Sequence, residues 1–300
     1  MPRFALQLVL LGTLAVLAGC GSGTAFSPSS GAPATAASNG STQFVRPSGK
    51  PAKDLFVLNY RSNTMTEFST GGALLHTFPS AAGAIAELTI AKGKAYVTSQ
   101  STNTLSTFTL KGKPTTPTIT TGLAGPTGVA VDKNGKIYVT NPGNGTLTTY
   151  LPDGTQTTPT ISGLNNPSGV TVDKKGKIYV ALFSGSVETF TPSGTQTTPT
   201  ITAGLVNPTY IAVDAKGKIY VADYTASDVL TYTPSGDPTT PTITANVSNA
   251  AGLALDAAGN IYVSNRGTNQ VTWYAPDGSQ NSPTFDIPGD DYGAAGVAIP

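Results

Sequence analysis

One motif repeated along the chain restricts its fold more than any other feature. GKIYVT, GKIYVA, GKIYVA and GNIYVS recur at a near-constant interval, and the aromatic position in the motif falls at Phe56, Tyr96, Tyr138, Tyr179, Tyr220 and Tyr262. The steps are 40, 42, 41, 41 and 42 residues. Such a period, built of short β-prone runs between Gly and Pro turns, is that of a propeller blade, which cannot bury its own apolar faces and must stack on neighbours.

The third repeat lays out the plan. Residues 128–132 (GVAVD) alternate apolar and small side chains, Lys133-Asn134-Gly135 makes a turn, and residues 136–140 (KIYVT) form a second strand. A break at residues 141–145 precedes a third strand over 146–150, and Pro152-Asp153-Gly154 turns the chain into a fourth over 157–161. Strand formers punctuated this way predict a four-stranded antiparallel meander. The fourth strand carries Pro159, matched by Pro117, Pro199, Pro241 and Pro283. Proline cannot donate to a ladder, which puts this strand on the outer edge. A second aromatic repeats on the third strand at Phe68, Phe108, Tyr150, Phe190, Tyr232 and Tyr274. Residues repeated in every blade belong to the scaffold and pack blade on blade.

The second strand occurs six times and comes first, at residues 54–58, whereas the innermost strand ends the chain at residues 296–299. The prediction is an all-β, six-bladed β-propeller over 54–300, its ring closed by the C-terminal strand pairing with the N-terminal blade.

The N-terminus reads differently. Residues 1–19 contain one basic residue, Arg3, and an apolar run from Phe4 to Ala18, too short for a membrane span of about 20 residues. This is the pattern of a signal peptide. Leu17-Ala18-Gly19-Cys20 resembles a bacterial lipobox, which implies lipidation of Cys20, the sole cysteine. Gly21 after it implies delivery to the outer membrane in a two-membrane cell. Residues 20–53 are then the lipidated Cys and a Ser/Gly/Ala/Pro-rich linker, reaching about 30 Å. The expected location is the cell envelope, reached by export and held by the lipid.

Formal net charge is +1 and charged residues make up 11%, which points away from nucleic acid. Eleven lysines and seven aspartates fall in or beside the turns joining strands one to two and three to four, so that face, the bottom, is expected to be basic. Such charges keep turns soluble and protect edges. A weaker alternative is affinity for anionic lipid or polysaccharide. Asp132, Asp173, Asp214 and Asp256 begin D-x-x-G turns, where Asp bonds the local backbone.

Positions that vary between repeats lie on the opposite, top face. The first loop position after the second strand runs Asn59, Ser99, Asn141, Leu182, Asp223, Asn265, and the next runs Tyr60, Gln100, Pro142, Phe183, Tyr224, Arg266. The innermost strand begins with Gly in four blades but with Glu87 and Tyr210 in two. Tyr60, Arg61, Glu87, Phe183, Tyr210, Asp223, Tyr224 and Arg266 therefore form the candidate ligand-binding mouth, aromatic with mixed charge. The single histidine, His76, falls on an outer strand, and no His/Cys cluster or nucleophile motif accompanies it.

The segments GKIYVADYTASDVLTYTPSG and PTGVAVDKNGKIYVTN resemble NHL-repeat propellers and the streptogramin (virginiamycin B) lyase-like group, over nearly all of residues 54–300. The NHL resemblance implies a monomeric, non-catalytic binding module, with no cofactor, for an envelope protein or glycan. The alternative is a metal-assisted lyase or lactonase-like enzyme, with calcium or magnesium held by acids and amides of the channel mouth. Glu87, Asn59, Asn141 and Asp223 are its candidate ligands, and the histidines of the lyases have no counterpart in the channel.

Overall fold

The computed structural model describes residues 54–60, 62–80, 83, 85–288 and 293–300. The signal peptide, Cys20, the linker and Arg61 lie outside the described residues. Six antiparallel sheets of four strands are arranged in a ring, each blade adjoining the next. The innermost strands are Ile85–Ala91, Val129–Val131, Pro167–Val172, Pro208–Val213 and Ala250–Leu255 for blades two to six. Blade one takes its innermost strand, Ala294–Ala298, from the C-terminus, paired with Leu55–Asn59 through Phe56–Ala298 and Val57–Val297. Closure is thus by hydrogen bonding between the two ends of the domain, which removes the free edge an open ring would expose.

Burial follows strand position. Second strands such as Ile137–Asn141 and Ile219–Asp223 are buried at every residue, because both faces meet a neighbouring blade. Each of the six apolar clusters straddles one seam and pairs the second-strand aromatic of one blade with the third-strand aromatic of the next. Phe56 meets Phe108, Tyr96 meets Tyr150, and Tyr138 meets Phe190. Tyr179 meets Tyr232, Tyr220 meets Tyr274, and Tyr262 meets Phe68 across the closing seam. The two repeated aromatics are therefore two halves of one contact. The hydroxyls of Tyr150, Tyr232 and Tyr274 donate to the carbonyls of Thr121, Ala203 and Ala245, so these rings also anchor the crossings between blades.

The outer strands of blades two to five alternate exposed and buried residues, as in Gln156–Ser162, where Pro159 and Ile161 turn inward. The bonds preceding Pro117, Pro159, Pro199, Pro241 and Pro283 are cis. Each of these prolines packs on the glycine of the next blade's outer hairpin: Pro117 on Gly154, Pro159 on Gly194, Pro199 on Gly236, Pro241 on Gly278 and Pro283 on Gly72. Phe78 stands in for proline against Gly112.

Blade six departs from the expected outer strand. Its ladder is reduced to Phe285–Asp286 and a bridge between Tyr274 and Gln280, so Pro283 lies between paired segments. Thr107, Thr189 and Thr231 use their hydroxyls to bond the carbonyls of Pro117, Pro199 and Pro241. At the same register Trp273 reaches the Pro283 carbonyl with its longer indole N–H, at 3.0 Å, and stacks on Tyr262. The Asn281 amide still donates to the Trp273 carbonyl at 2.9 Å.

On the bottom face, Asp132, Asp173, Asp214 and Asp256 each accept two backbone N–H groups of their own turn. The lysines there are only partly free. Lys94, Lys136, Lys177 and Lys218 donate to the carbonyls of Thr116, Thr158, Thr198 and Thr240, and the last three lie over Tyr138, Tyr179 and Tyr220. His76 sits on the exposed outer strand of blade one, with Nδ1 2.9 Å from Glu67 Oε2.

Candidate functional site

The top of the channel opens into a cavity of about 440 Å³, built from three six-fold tiers. The rim is the residue directly after the second strand in each blade: Tyr60, Gln100, Pro142, Phe183, Tyr224 and Arg266. Repetition places these six residues at equivalent points, and nothing in the repeat dictates their identity.

The middle tier is Ala86, Thr127, Ser168, Thr209, Ala251 and Ala295. Its hydroxyls are spent on the scaffold. Thr127 Oγ1 donates to the Ser168 carbonyl at 3.0 Å, Ser168 Oγ to the Thr209 carbonyl at 2.9 Å, and Thr209 Oγ1 to the Ala250 carbonyl at 2.9 Å. Blades three, four and five thereby each clasp the next. Ser264 completes one further seam by donating to the Ala295 carbonyl at 2.8 Å.

The floor is the position where four blades carry Gly128, Gly169, Gly252 and Gly296. A Cβ there would lie 2.7 Å from Thr140 Oγ1 at Gly128, 2.7 Å from the Ala295 carbonyl at Gly252 and 2.8 Å from the Leu88 amide at Gly296. Strand pairing puts Glu87 and Tyr210 at this same position in blades two and five, which face each other across the ring. Their side chains fill the axis. Tyr210 donates its hydroxyl to the Ala86 carbonyl at 2.8 Å, and Glu87 Oε2 accepts the Val129 amide at 3.0 Å. A smaller cavity of about 180 Å³ continues below, and Glu87 borders both.

Burial sets the charge of the site. It pushes the Glu87 carboxyl well above the usual carboxylate range, against a smaller opposing effect of the Val129 hydrogen bond. It also raises the Tyr210 hydroxyl, with Glu87 adding to the rise and Arg266 opposing it. Arg266 stacks its guanidinium on the Tyr60 ring at 4.2 Å and has no ion-pair partner among the described residues.

Of the eight residues singled out from the sequence, Tyr60, Glu87, Phe183, Tyr210, Tyr224 and Arg266 come together in this cavity, and Arg61 is not among the described residues. Asp223 does not face it. Asp223 is fully buried below the rim, where its oxygens accept the amides of Val206 at 2.7 Å, Asn207 at 3.0 Å and Ala226 at 3.1 Å. Asn141 and Asn265 do the same work with single bonds to the amides of Ala124 and Ser248. Asn59 turns its amide into its own blade, onto Thr64 and Thr66. Glu87, Asn59, Asn141 and Asp223 are thus not assembled around one point. The sequence reading passed over Asn166 on the wall and the clasping hydroxyls; the latter left a signal, Pro-Thr, Pro-Ser and Pro-Thr at 126–127, 167–168 and 208–209.

The architecture defines the class: a six-bladed β-propeller, with the NHL repeat model matching residues 123–150. Solved structures share the fold at low identity. A chain of a nidogen/laminin complex is 19% identical with a TM-score of 0.69, over 82% of this chain and 98% of its own. Virginiamycin B lyase from Staphylococcus aureus is 16% identical with a TM-score of 0.61, over 79% and 82%. A protein of unknown function from Bacteroides caccae is 15% identical with a TM-score of 0.65, over 83% and 98%. No curated protein matches the sequence.

Proposed function

We propose that the protein is a non-catalytic binding module whose top cavity receives part of a glycan or protein of the cell envelope, with the propeller tethered by lipid on Cys20. The observation that carries this reading is how the cavity's polar groups are used. The wall hydroxyls clasp the blades, the floor acid and phenol are bonded to backbone, and what faces outward is three aromatic rings, two amides and one guanidinium. Rigid aromatics with a few polar groups on a preformed scaffold hold a ligand without reorganising.

A second reading rests on the Glu87–Tyr210 pair, an acid whose pKa burial raises beside a phenol on the floor of a cavity whose fold a streptogramin lyase shares. In it the two groups would exchange protons with a bound substrate.

The test is photocrosslinking and saturation-transfer NMR against fractionated envelope glycans and peptidoglycan-free envelope proteins, with wild type beside a Tyr60→Ala, Tyr224→Ala, Arg266→Ala variant. Contacts mapped to the rim in wild type and lost in the variant support the binding reading. A substrate chemically altered by wild type and left intact by Glu87→Gln would replace it with the enzymatic one.

A further inference from the structure

Resting on the binding reading, we infer that the cavity's ligand is an acidic saccharide whose carboxylate docks on Arg266 while its ring stacks on the neighbouring aromatics. The arrangement of the rim carries this inference. Tyr224, Arg266 and Tyr60 belong to blades five, six and one, so they form one continuous arc with the cation flanked by two rings. The Tyr60 ring holds the guanidinium over its face, with Arg266 Cζ 4.2 Å from the ring centroid. The N–H fork is thereby pre-organised, and no described carboxylate occupies it. An arginine held this way, without an ion-pair partner among the described residues, meets an oxyanion at little conformational cost.

Among the described residues the rest of the cavity adds little competing charge. Burial pushes the Glu87 carboxyl well above the usual carboxylate range, and Asp223 has turned its oxygens to three backbone amides beneath the rim. Arg266 is the one cation among the described lining residues, and it disfavours a basic ligand. Across from the arc stand the uncommitted amides of Gln100 and Asn166, which suit the hydroxyls of a sugar. A pyranose ring offers an apolar C–H face to Tyr224 or Phe183, and a uronic acid adds the carboxylate on its rim. A volume of about 440 Å³ accommodates a terminal residue or two and excludes a folded partner.

The experiment is calorimetric titration of the full-length protein with trigalacturonate, with its methyl ester, in which the rings are kept and the charge is removed, and with a sulfated trisaccharide of the same length. Wild type is run beside Arg266→Gln, Arg266→Lys and a Tyr60→Ala, Tyr224→Ala double variant, each checked for an unchanged melting temperature. The expected result is that the acid binds at least about tenfold more tightly than the ester. That preference should vanish in Arg266→Gln and be only partly restored by lysine. Equal binding of acid and ester, weakened in the double variant, would overturn the carboxylate inference and leave the binding cavity standing. Preference for the sulfated sugar would also overturn it, assigning Arg266 to a sulfate. If wild type binds none of the three, the inference fails, and if the glycan and protein crosslinks are also absent, the binding reading fails with it.

Discussion

The Tyr210 hydroxyl donates across the channel axis to the carbonyl of Ala86, 124 positions away in the chain and on the opposite blade, at 2.8 Å. It links two blades that share no seam, through a residue standing where four other blades tolerate only glycine. Tyr210→Phe keeps the ring and removes the bond, leaving the Ala86 carbonyl facing the axis without its donor. The expected cost is about 1–2 kcal/mol in urea unfolding. An unchanged midpoint would mean that water replaces the hydroxyl and the bond does not brace the ring.

Glu87 gives the fold a pH dependence of definite sign. Its folded-state pKa lies well above the ordinary glutamate value of 4.5, chiefly because burial disfavours the carboxylate. Below about pH 4.5 the group is protonated in both folded and unfolded chains, and its contribution is fully retained. As pH rises towards the folded pKa, the unfolded chain releases the proton and the folded one does not, so stability falls by at most ~1.4 kcal/mol per pH unit. Glu87→Gln has nothing to release and still accepts the Val129 amide. Its stability relative to wild type should therefore grow between pH 4.5 and 7.5 in denaturant titrations. Parallel curves for the two proteins would show that Glu87 is ionised in the fold.

Gly236 tests how blades meet at their outer edge. A Cβ added there would lie 2.5 Å from Pro199 Cβ, at a backbone φ of +91°. Gly163, at φ +80°, has nothing within 4 Å. Gly163→Ala should cost about 1 kcal/mol, from backbone strain alone. Gly236→Ala adds a clash with a buried ring on the neighbouring blade and should cost about 2–3 kcal/mol. Equal losses in chemical denaturation would show that the proline–glycine contact yields easily.

The scaffold was legible in the sequence because it is written six times. Phe56 through Tyr262 give the period, the fourth-strand prolines give the outer edge, and the last strand's missing partner gives the closure. The site was legible where the repeat is broken. Register alignment puts Glu87 and Tyr210 at the glycine position, and the series from Tyr60 to Arg266 is the rim itself. What could not be read was direction. Asp223 and Tyr224 are adjacent in sequence, but Asp223 ends the buried second strand and bonds amides beneath the rim, whereas Tyr224 begins the turn and lines the cavity. The stacking of Arg266 on Tyr60 joins the two ends of the domain, so it depends on ring closure and has no local signal. The shortened edge of blade six was likewise hidden, because its outer segment carries Pro283 at the place matching the other outer-strand prolines.

Asp228 faces Asp223 across the top hairpin of blade five. Blades one, two and three place Thr64, Thr104 and Thr146 at this register, and the Thr64 and Thr146 hydroxyls pair with Asn59 and Asn141. Here two carboxyls meet instead. Asp228 Oδ1 is buried with no hydrogen bond, and burial, then the Asp223 charge, push the Asp228 carboxyl up to about 6. A raised carboxyl removes stability as pH climbs from the unfolded value of 3.8 through about 6. Asp228→Thr replaces the repulsion with a hydroxyl that donates to Asp223. The variant should therefore melt at a higher temperature than wild type at pH 7.5, and the gain should shrink steadily as pH falls to 4. A gain of the same size at both pH values would assign it to packing or strand propensity, and would show that the two carboxyls do not oppose each other in the folded protein.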